Sequence, residues 1–166
     1  MLIPRRTLSA PVRIEGLGLH SGVPVTVTVH PSDDGIAFRH GADRFPATPE
    51  HVTDTARCTW LGTIAMIEHL MSALAALEIT DAEVEVSTNE LPALDGSAAD
   101  YLSALSSVLH IPIGERTCGE LFGRLFIQKD GGLKMAVGKG GGHWRYVYDR
   151  GSVFPGLQAF ETAAIL

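Results

Sequence analysis

Glu68 and His69 stand side by side in the stretch Ile67-Glu68-His69-Leu70, and between them they carry two functions that a hydrolytic metal site needs. An imidazole nitrogen ligates zinc, and a neighbouring carboxylate takes the proton from a water molecule as that water attacks an amide carbonyl. Consecutive side chains on a helix point about 100 degrees apart, so the two share a site only at a helix end beside a groove. Spacing alone favours the plainer alternative, a polar pair on the solvated face of an amphipathic helix.

A catalytic zinc normally takes three protein ligands and keeps one position open, which directs attention to the other histidines. His followed four residues later by Asp, the spacing that aligns two ligands on one helix face, occurs only at His30 and Asp34. Pro31 and the alternation before it put that pair at a strand end, where the spacing has no helical meaning. His143 and Asp149 could flank a strand-like piece as a pair, but two ordinary surface residues are the favoured reading. Cys58 beside Arg57 has no assignable histidine partner, so it reads as a half-buried structural cysteine. Gly16-Leu17-Gly18 and Gly140-Gly141-Gly142 match neither phosphate-loop pattern and read as turns.

The elements that must position these residues follow from hydrophobic periodicity. Thr7 to Ile14 reads as a strand broken at Pro11. The three glycines Gly16, Gly18 and Gly22 mark a turn where backbone approaches something closely. Val23, Val25, Val27 and Val29 alternate with polar residues, the period of a strand with one buried face, and Ile36 to Phe38 makes a third short strand. Phe45 to Thr55 reads as a connection leading into Arg57 to Leu61. Ile64, Ile67, Leu70, Met71, Leu74 and Leu77 recur at three- and four-residue steps, predicting a helix with Thr63 as N-cap. Asp81 to Ser87 alternates again. Ser97 with Asp100 forms a capping-box signature before a second helix carrying Tyr101, Leu102, Leu105, Val108 and Leu109.

These elements make an α+β unit, a sheet layered against two helices, over residues 1–113. Pro112 to Gly119 is a linker by composition. Strand-like pieces follow at Leu121 to Gln128, Leu133 to Val137 and Trp144 to Tyr148, with no helix to bury against. The stretch 114–166 therefore reads as a partial second domain in which the chain stops midway.

Composition narrows the partners. Lys and Arg number 13 against 19 Asp and Glu, a net charge of −6 with no basic run, which argues against nucleic acid. No apolar run reaches the roughly eighteen residues of a transmembrane helix, and the N-terminus lacks a secretory signal, so a cytoplasmic protein is expected. Cys58 and Cys118 form no Cys-x-x-Cys pattern, so a metal here would need histidine and carboxylate.

Four ordered blocks carry a family resemblance. They are Gly16-Leu17-Gly18-Leu19-His20-Ser21-Gly22; Asp54-Thr55 with Cys58-Thr59; Ile67-Glu68-His69-Leu70 with Ala73-Leu74-Ala75; and Leu91-Pro92-Ala93-Leu94-Asp95-Gly96-Ser97-Ala98-Ala99. In order and spacing they resemble the zinc-dependent UDP-3-O-acyl-N-acetylglucosamine deacetylases of lipid A biosynthesis, over about residues 3 to 110. The resemblance implies two similar α+β domains with the site between them, Glu68 as general base, His69 as a zinc ligand, His20 and Cys58 at the edge where substrate binds, and UDP-3-O-acyl-N-acetylglucosamine as substrate. It assigns Asp95 and Gly96 to the turn before the second helix. Against the family pattern, Ala56-Arg57 stand where apolar residues are usual. The helix with His-x-x-x-Asp, which supplies the other zinc ligands, and the later Gly-His-Asn histidine acting as acid have no counterpart. The implied outcomes are little or no deacetylase activity and weak zinc affinity in this chain alone, a non-catalytic binding or regulatory remnant, or one half of a split enzyme whose partner chain completes the second domain.

Overall fold

The computed structural model describes residues 2–119, 122–129, 134–139, 143–149 and 156–163, and its contacts divide it into two units, Leu2–Cys118 and Gly119–Leu166. The expected glycine turns at 131–132 and 140–142 lie outside the described residues.

In the first unit the strands follow in the order β1 (Leu2–Leu8), β2 (Val12–Leu17), β3 (Pro24–Pro31), β4 (Ile36–His40), β5 (Asp43–Pro46), β6 (Val52–Asp54), β7 (Trp60–Leu61) and β8 (Ile64–Ala65). Helix α1 (Glu68–Ala76), β9 (Ala82–Val86), α2 (Ala99–Leu105) and β10 (His110–Thr117) complete it. Five strands form one sheet in the order β2-β3-β9-β4-β5, in which β9 runs parallel to β4 and the other pairs are antiparallel.

The alternation seen in the sequence sets the two faces of this sheet. Val25, Val27 and Val29 of β3 are buried, as are Ala82, Val84 and Val86 of β9. They share one cluster with Leu70, Ala73 and Leu74 of α1 and Tyr101 and Leu105 of α2. Sheet and helices thus form the α+β layers, with each fully buried aliphatic side chain contributing about 2 kcal/mol. The opposite face carries charge: Arg39 pairs with Glu85 at 3.0 Å, and Arg44 with Glu83 at 3.0 Å and Asp34 at 3.2 Å. Val23 falls before β3 and is exposed.

Several boundaries differ from the sequence reading: Thr7 to Ile14 divides between β1 and β2, and the expected connection Phe45 to Thr55 contains the end of β5 and all of β6. Helix α1 begins at Glu68 rather than after Thr63, because Ile64 and Ala65 belong to the hairpin of β7 and β8. Their burial mimics a helical step, yet the Ala65 N–H donates to the Asn89 carbonyl at 2.9 Å and Met66 has a φ of 66°. Helix α2 stops at Leu105. The Ser107 hydroxyl donates to the Ala104 carbonyl at 2.6 Å, and His110 Nε2 lies 3.1 Å from the Leu105 carbonyl, so the last carbonyls are satisfied before Leu109 is reached. The stretch expected as a linker, Pro112 to Gly119, is largely strand. β10 pairs antiparallel with β1 from Leu2↔Thr117 to Leu8↔His110, with a bulge opposite Arg5 and Arg6 that Gly114, at φ 126°, accommodates. Residue 113 therefore lies inside β10, and the first unit runs to Cys118.

The second unit holds β11 (Arg124–Gln128) paired with β12 (Lys134–Gly138), and β13 (His143–Asp149) paired with β14 (Leu157–Ala163).

One buried carboxylate ties β1 to the sheet. Asp81, 1% exposed, accepts from Arg5 Nη2 at 2.5 Å, from the Thr80 hydroxyl at 2.5 Å and from the Gly35 N–H at 2.7 Å. Burial pushes its carboxyl up, but Arg5, Thr80 and Gly35 together hold it below the ordinary aspartate range. A depressed folded value means this stabilisation is complete above the unfolded value near ~4 and is lost as pH falls through the folded value. Asp81→Asn should cost about 2 kcal/mol at neutral pH. In urea unfolding across pH 3 to 7, it should also flatten the acid limb relative to the parent chain.

Candidate active site

The start of α1 is fixed by the segment before it. The β7–β8 hairpin turns at Gly62, whose φ is 58° and whose missing Cβ leaves room for the Phe45 ring. Beyond β8, the Met66 N–H donates to the Thr59 carbonyl at 3.1 Å, and the Thr59 N–H donates to Glu68 Oε2 at 3.0 Å. The two bonds clamp the Cys58–Trp60 segment across the helix entry. Glu68 is thereby the first residue of α1, where a carboxylate complements the positive end of the helix dipole. Of the helix end and groove that an adjacent Glu-His pair requires, the helix end is present, while neither residue lines the cleft beside Met71 and Ala75 or the one beside His20.

Glu68 and His69 are both half-buried, and Cys58, next to Thr59, is 8% exposed. Glu68 also lies near Tyr101. Burial first and the Glu68 charge second push that phenol far up, so it stays a neutral donor, bonded to the Pro92 carbonyl at 2.6 Å. His69 lies within electrostatic reach of Asp95. The Ser97 N–H and hydroxyl, with His69 as a smaller contributor, hold the Asp95 carboxyl below its ordinary range. The Ser97 N–H donates to Asp95 Oδ1 at 2.8 Å, so Asp95 shapes the turn ahead of α2. Ser97 also accepts from the Ala99 N–H at 3.0 Å, ahead of the helix, and the expected capping box with Asp100 does not form.

Three of the segments named above are each preceded by a residue of positive φ. Arg57 (φ 102°), Met66 (φ 66°) and Leu94 (φ 51°) are non-glycine residues in the left-handed region, and they precede Cys58, the Ile67-Glu68 entry and Asp95. Such conformations cost about 1–3 kcal/mol each and cluster where surroundings enforce a functional geometry. Glu78 (φ 54°) sits just past the α1 C-terminus, an ordinary place for that conformation.

His20 lies in a separate cleft of about 230 Å³ lined by His20, Ser21, Trp60, Ala65, Asn89 and Glu90. Neither Glu68 nor His69 lines it. The expected close approach of the glycine turn is visible at both ends: a Cβ on Gly16 would lie 2.8 Å from Pro92 Cβ, and one on Gly18 2.5 Å from Glu90 Oε2. Glu90, 4% exposed, accepts from the His20 N–H at 2.7 Å and the Ser21 N–H at 3.1 Å. Burial pushes its carboxyl up, and the His20 and Ser21 donors outweigh that and hold it below the usual glutamate range. Sequence reasoning missed Glu90, because its partners lie about seventy residues away and only an acidic residue ahead of Leu91-Pro92 hinted at it.

His30 and Asp34 do not act together. His30 Nε2 lies 3.3 Å from Glu85, and Asp34 pairs with Arg44. His143 opens β13 and Asp149 ends it. Among the described residues no group of three or more His, Cys, Asp or Glu is placed to hold a metal. The chemistry of the donors at the α1 entry, one imidazole beside a carboxylate, fits part of a zinc site rather than a whole one. No helix among the described residues is long and apolar enough to cross a membrane.

Comparison with known proteins adds the family dimension. The family profile for UDP-3-O-acyl N-acetylglycosamine deacetylase matches residues 5–117. A UDP-3-O-acyl-N-acetylglucosamine deacetylase of Xanthomonas campestris pv. campestris (strain B100) is 42% identical over 113 residues, 62% of this chain and 37% of that protein. Those of Teredinibacter turnerae and Aliivibrio fischeri are 41% and 39% identical, each over 64% of this chain and 38% of its own length. The chain thus spans less than two fifths of these relatives.

The close packing at the glycine turn is testable. Gly18→Ala should displace the Glu90 carboxylate and cost about 2 kcal/mol in denaturant unfolding. Gly119→Ala, where nothing lies within 4 Å, should change stability by under about 0.5 kcal/mol.

Proposed function

The chain belongs to the UDP-3-O-acyl N-acetylglycosamine deacetylase family, and on that premise we propose that it contributes to zinc-dependent hydrolysis of the N-acetyl amide of UDP-3-O-acyl-N-acetylglucosamine in the cytoplasm, as a step of lipid A biosynthesis. Glu68 is the general base, His69 a zinc ligand, and His20 and Cys58 border the substrate. The observation that carries this reading is the clamped start of α1, which presents a carboxylate and an imidazole from one helix end.

Zinc, when bound, lowers the pKa of its water and polarises the amide carbonyl. The chain's own residues do the rest of what is proposed for this half of the site. The Thr59 N–H holds Glu68 Oε2 and leaves Oε1, which has no partner among the described residues, to receive the proton of the attacking water. His69 offers a ring nitrogen from the next position of the helix, beside the turn that Asp95 shapes. A catalytic zinc takes about three protein ligands, so the remaining ligands come from outside this helix entry, and the 166-residue chain alone should bind zinc weakly and turn over little substrate.

Zinc quantification on the purified chain tests this. His69→Ala should remove the bound metal, whereas Glu68→Gln should keep it and lower any zinc-dependent turnover by about 100-fold or more. Stoichiometric zinc that survives His69→Ala would sink the ligand assignment.

A second reading draws on the strands after residue 119. β11–β12 and β13–β14 are two-stranded, and Leu125, Phe126 and Ile127 are all exposed, so both faces of the first hairpin present apolar side chains. Open edges of this kind invite pairing with another chain, as a second domain of the same type completed by a partner, or a binding remnant, would require. Light scattering should then report a mass above 17.7 kDa; a monodisperse monomer counts against this reading.

A further inference from the structure

We propose that Glu90 is a positioning residue for His20, fixing the imidazole so that its Nε2 is offered to the cleft as a hydrogen-bond acceptor for a ligand O–H or N–H group. The inference rests on the reading that His20 borders the substrate, and it adds the atom that makes the contact and the residue that sets its state.

Three contacts carry it. Glu90 Oε1 takes the His20 backbone N–H at 2.7 Å and lies 3.0 Å from His20 Nδ1, while Oε2 takes the Ser21 N–H at 3.1 Å. The carboxylate therefore holds both the backbone and the ring of one residue. An ionised carboxylate only accepts hydrogen bonds, and two backbone donors already favour that form. The proton of a neutral His20 ring must then sit on Nδ1. With Nδ1–H donated to Glu90, Nε2 keeps its lone pair, as in histidines whose second nitrogen is set by a carboxylate.

Nε2 has no partner among the described residues, and the His20 side chain is 50% exposed while that of Glu90 is 6% exposed. The arrangement thus buries the orienting group and leaves the oriented one open. Gly18 belongs to the same device, since any side chain there would collide with Glu90 and with the Ser21 hydroxyl. Around the ring, Trp60 supplies an aromatic wall and Asn89 an amide, which suits a ligand bearing hydroxyl or amide donors beside an apolar surface.

The test is the tautomer of His20, read by long-range ¹⁵N–¹H correlation on the intact chain, at a pH above which the His20 ring shifts no longer change. The parent chain should show the protonated-nitrogen shift at Nδ1 and the bare-nitrogen shift at Nε2. Glu90→Gln should move His20 toward the Nε2–H form, while the other histidines keep their shifts and report an intact fold. Glu90→Asp, which retains a carboxylate, should restore part of the Nδ1–H signal. An Nε2–H ring in the parent chain overturns the proposal even if neither variant folds, and so does a Glu90→Gln spectrum identical to the parent's. These outcomes do not depend on zinc: loss of the tautomer leaves the His69 assignment standing, and failure of the zinc experiment leaves the Glu90–His20 pair intact.

Discussion

Four donor groups from three separate parts of the chain converge on the Asp81 carboxylate at the entrance to β9. Arg5 comes from β1, Thr80 precedes the aspartate itself, and Gly35 lies in the turn from β3 to β4. The same region is closed by the Thr80 and Asp81 N–H groups, which both donate to the Arg6 carbonyl, and by the Ser32 N–H donating to the Thr7 hydroxyl. An unpaired buried charge would be costly, so this fully satisfied one acts as a register pin. It sets where β9 enters the sheet, and β9 is flanked by β3 and β4. Through β1 it also fixes β10, which closes the first unit.

The same solution recurs wherever backbone leaves the ladders of the sheet. Glu68 accepts the Thr59 N–H across the hairpin, and Glu90 accepts those of His20 and Ser21 at the glycine turn. In each case a carboxylate satisfies amides that no strand partner reaches, and buried donors of this kind are rarely left unpaired. The three acids differ in what remains open. Asp81 is enclosed and structural. Glu68 keeps one oxygen available beside His69, and Glu90 passes its influence to the exposed edge of an imidazole. The two acids that reach the surface of this unit are thus groups whose other half is part of the scaffold.

Much of this was legible in the sequence. Alternation at Val25 to Val29 and Ala82 to Val86 located two central strands and their buried faces, because a period of two matches the pleat of a strand and no turn of a helix. The three- and four-residue steps found α1 but placed its start too early. Ile64 is buried for a reason unrelated to helical phase, being packed in a two-residue strand, and periodicity cannot separate the two. β10 was invisible for a different reason: its residues are largely exposed, and it is a strand because β1 needs a partner, a requirement that exists only in three dimensions. The four family blocks marked Glu68, His69, His20 and Cys58. They did not disclose Glu90, whose importance lies in contacts across seventy residues of chain, nor the strained backbone at Arg57, Met66 and Leu94.

The position of β9 governs how the sheet is assembled. β3 and β4 are consecutive in the chain and joined by a short turn, yet they do not pair with each other; the strand between them arrives only after β5 to β8 and α1 have passed. Two open edges therefore wait on a segment more than forty residues downstream, and the loop entropy of that insertion precedes any reward from the contacts it makes. The central pairing of this sheet is therefore non-local, unlike the hairpins β2–β3 and β4–β5 on either side of it. Until β9 is in place the facing edges of β3 and β4 have no strand partner, and the face of the finished sheet turned away from the helices is lined by the Arg39–Glu85 and Arg44–Glu83 pairs.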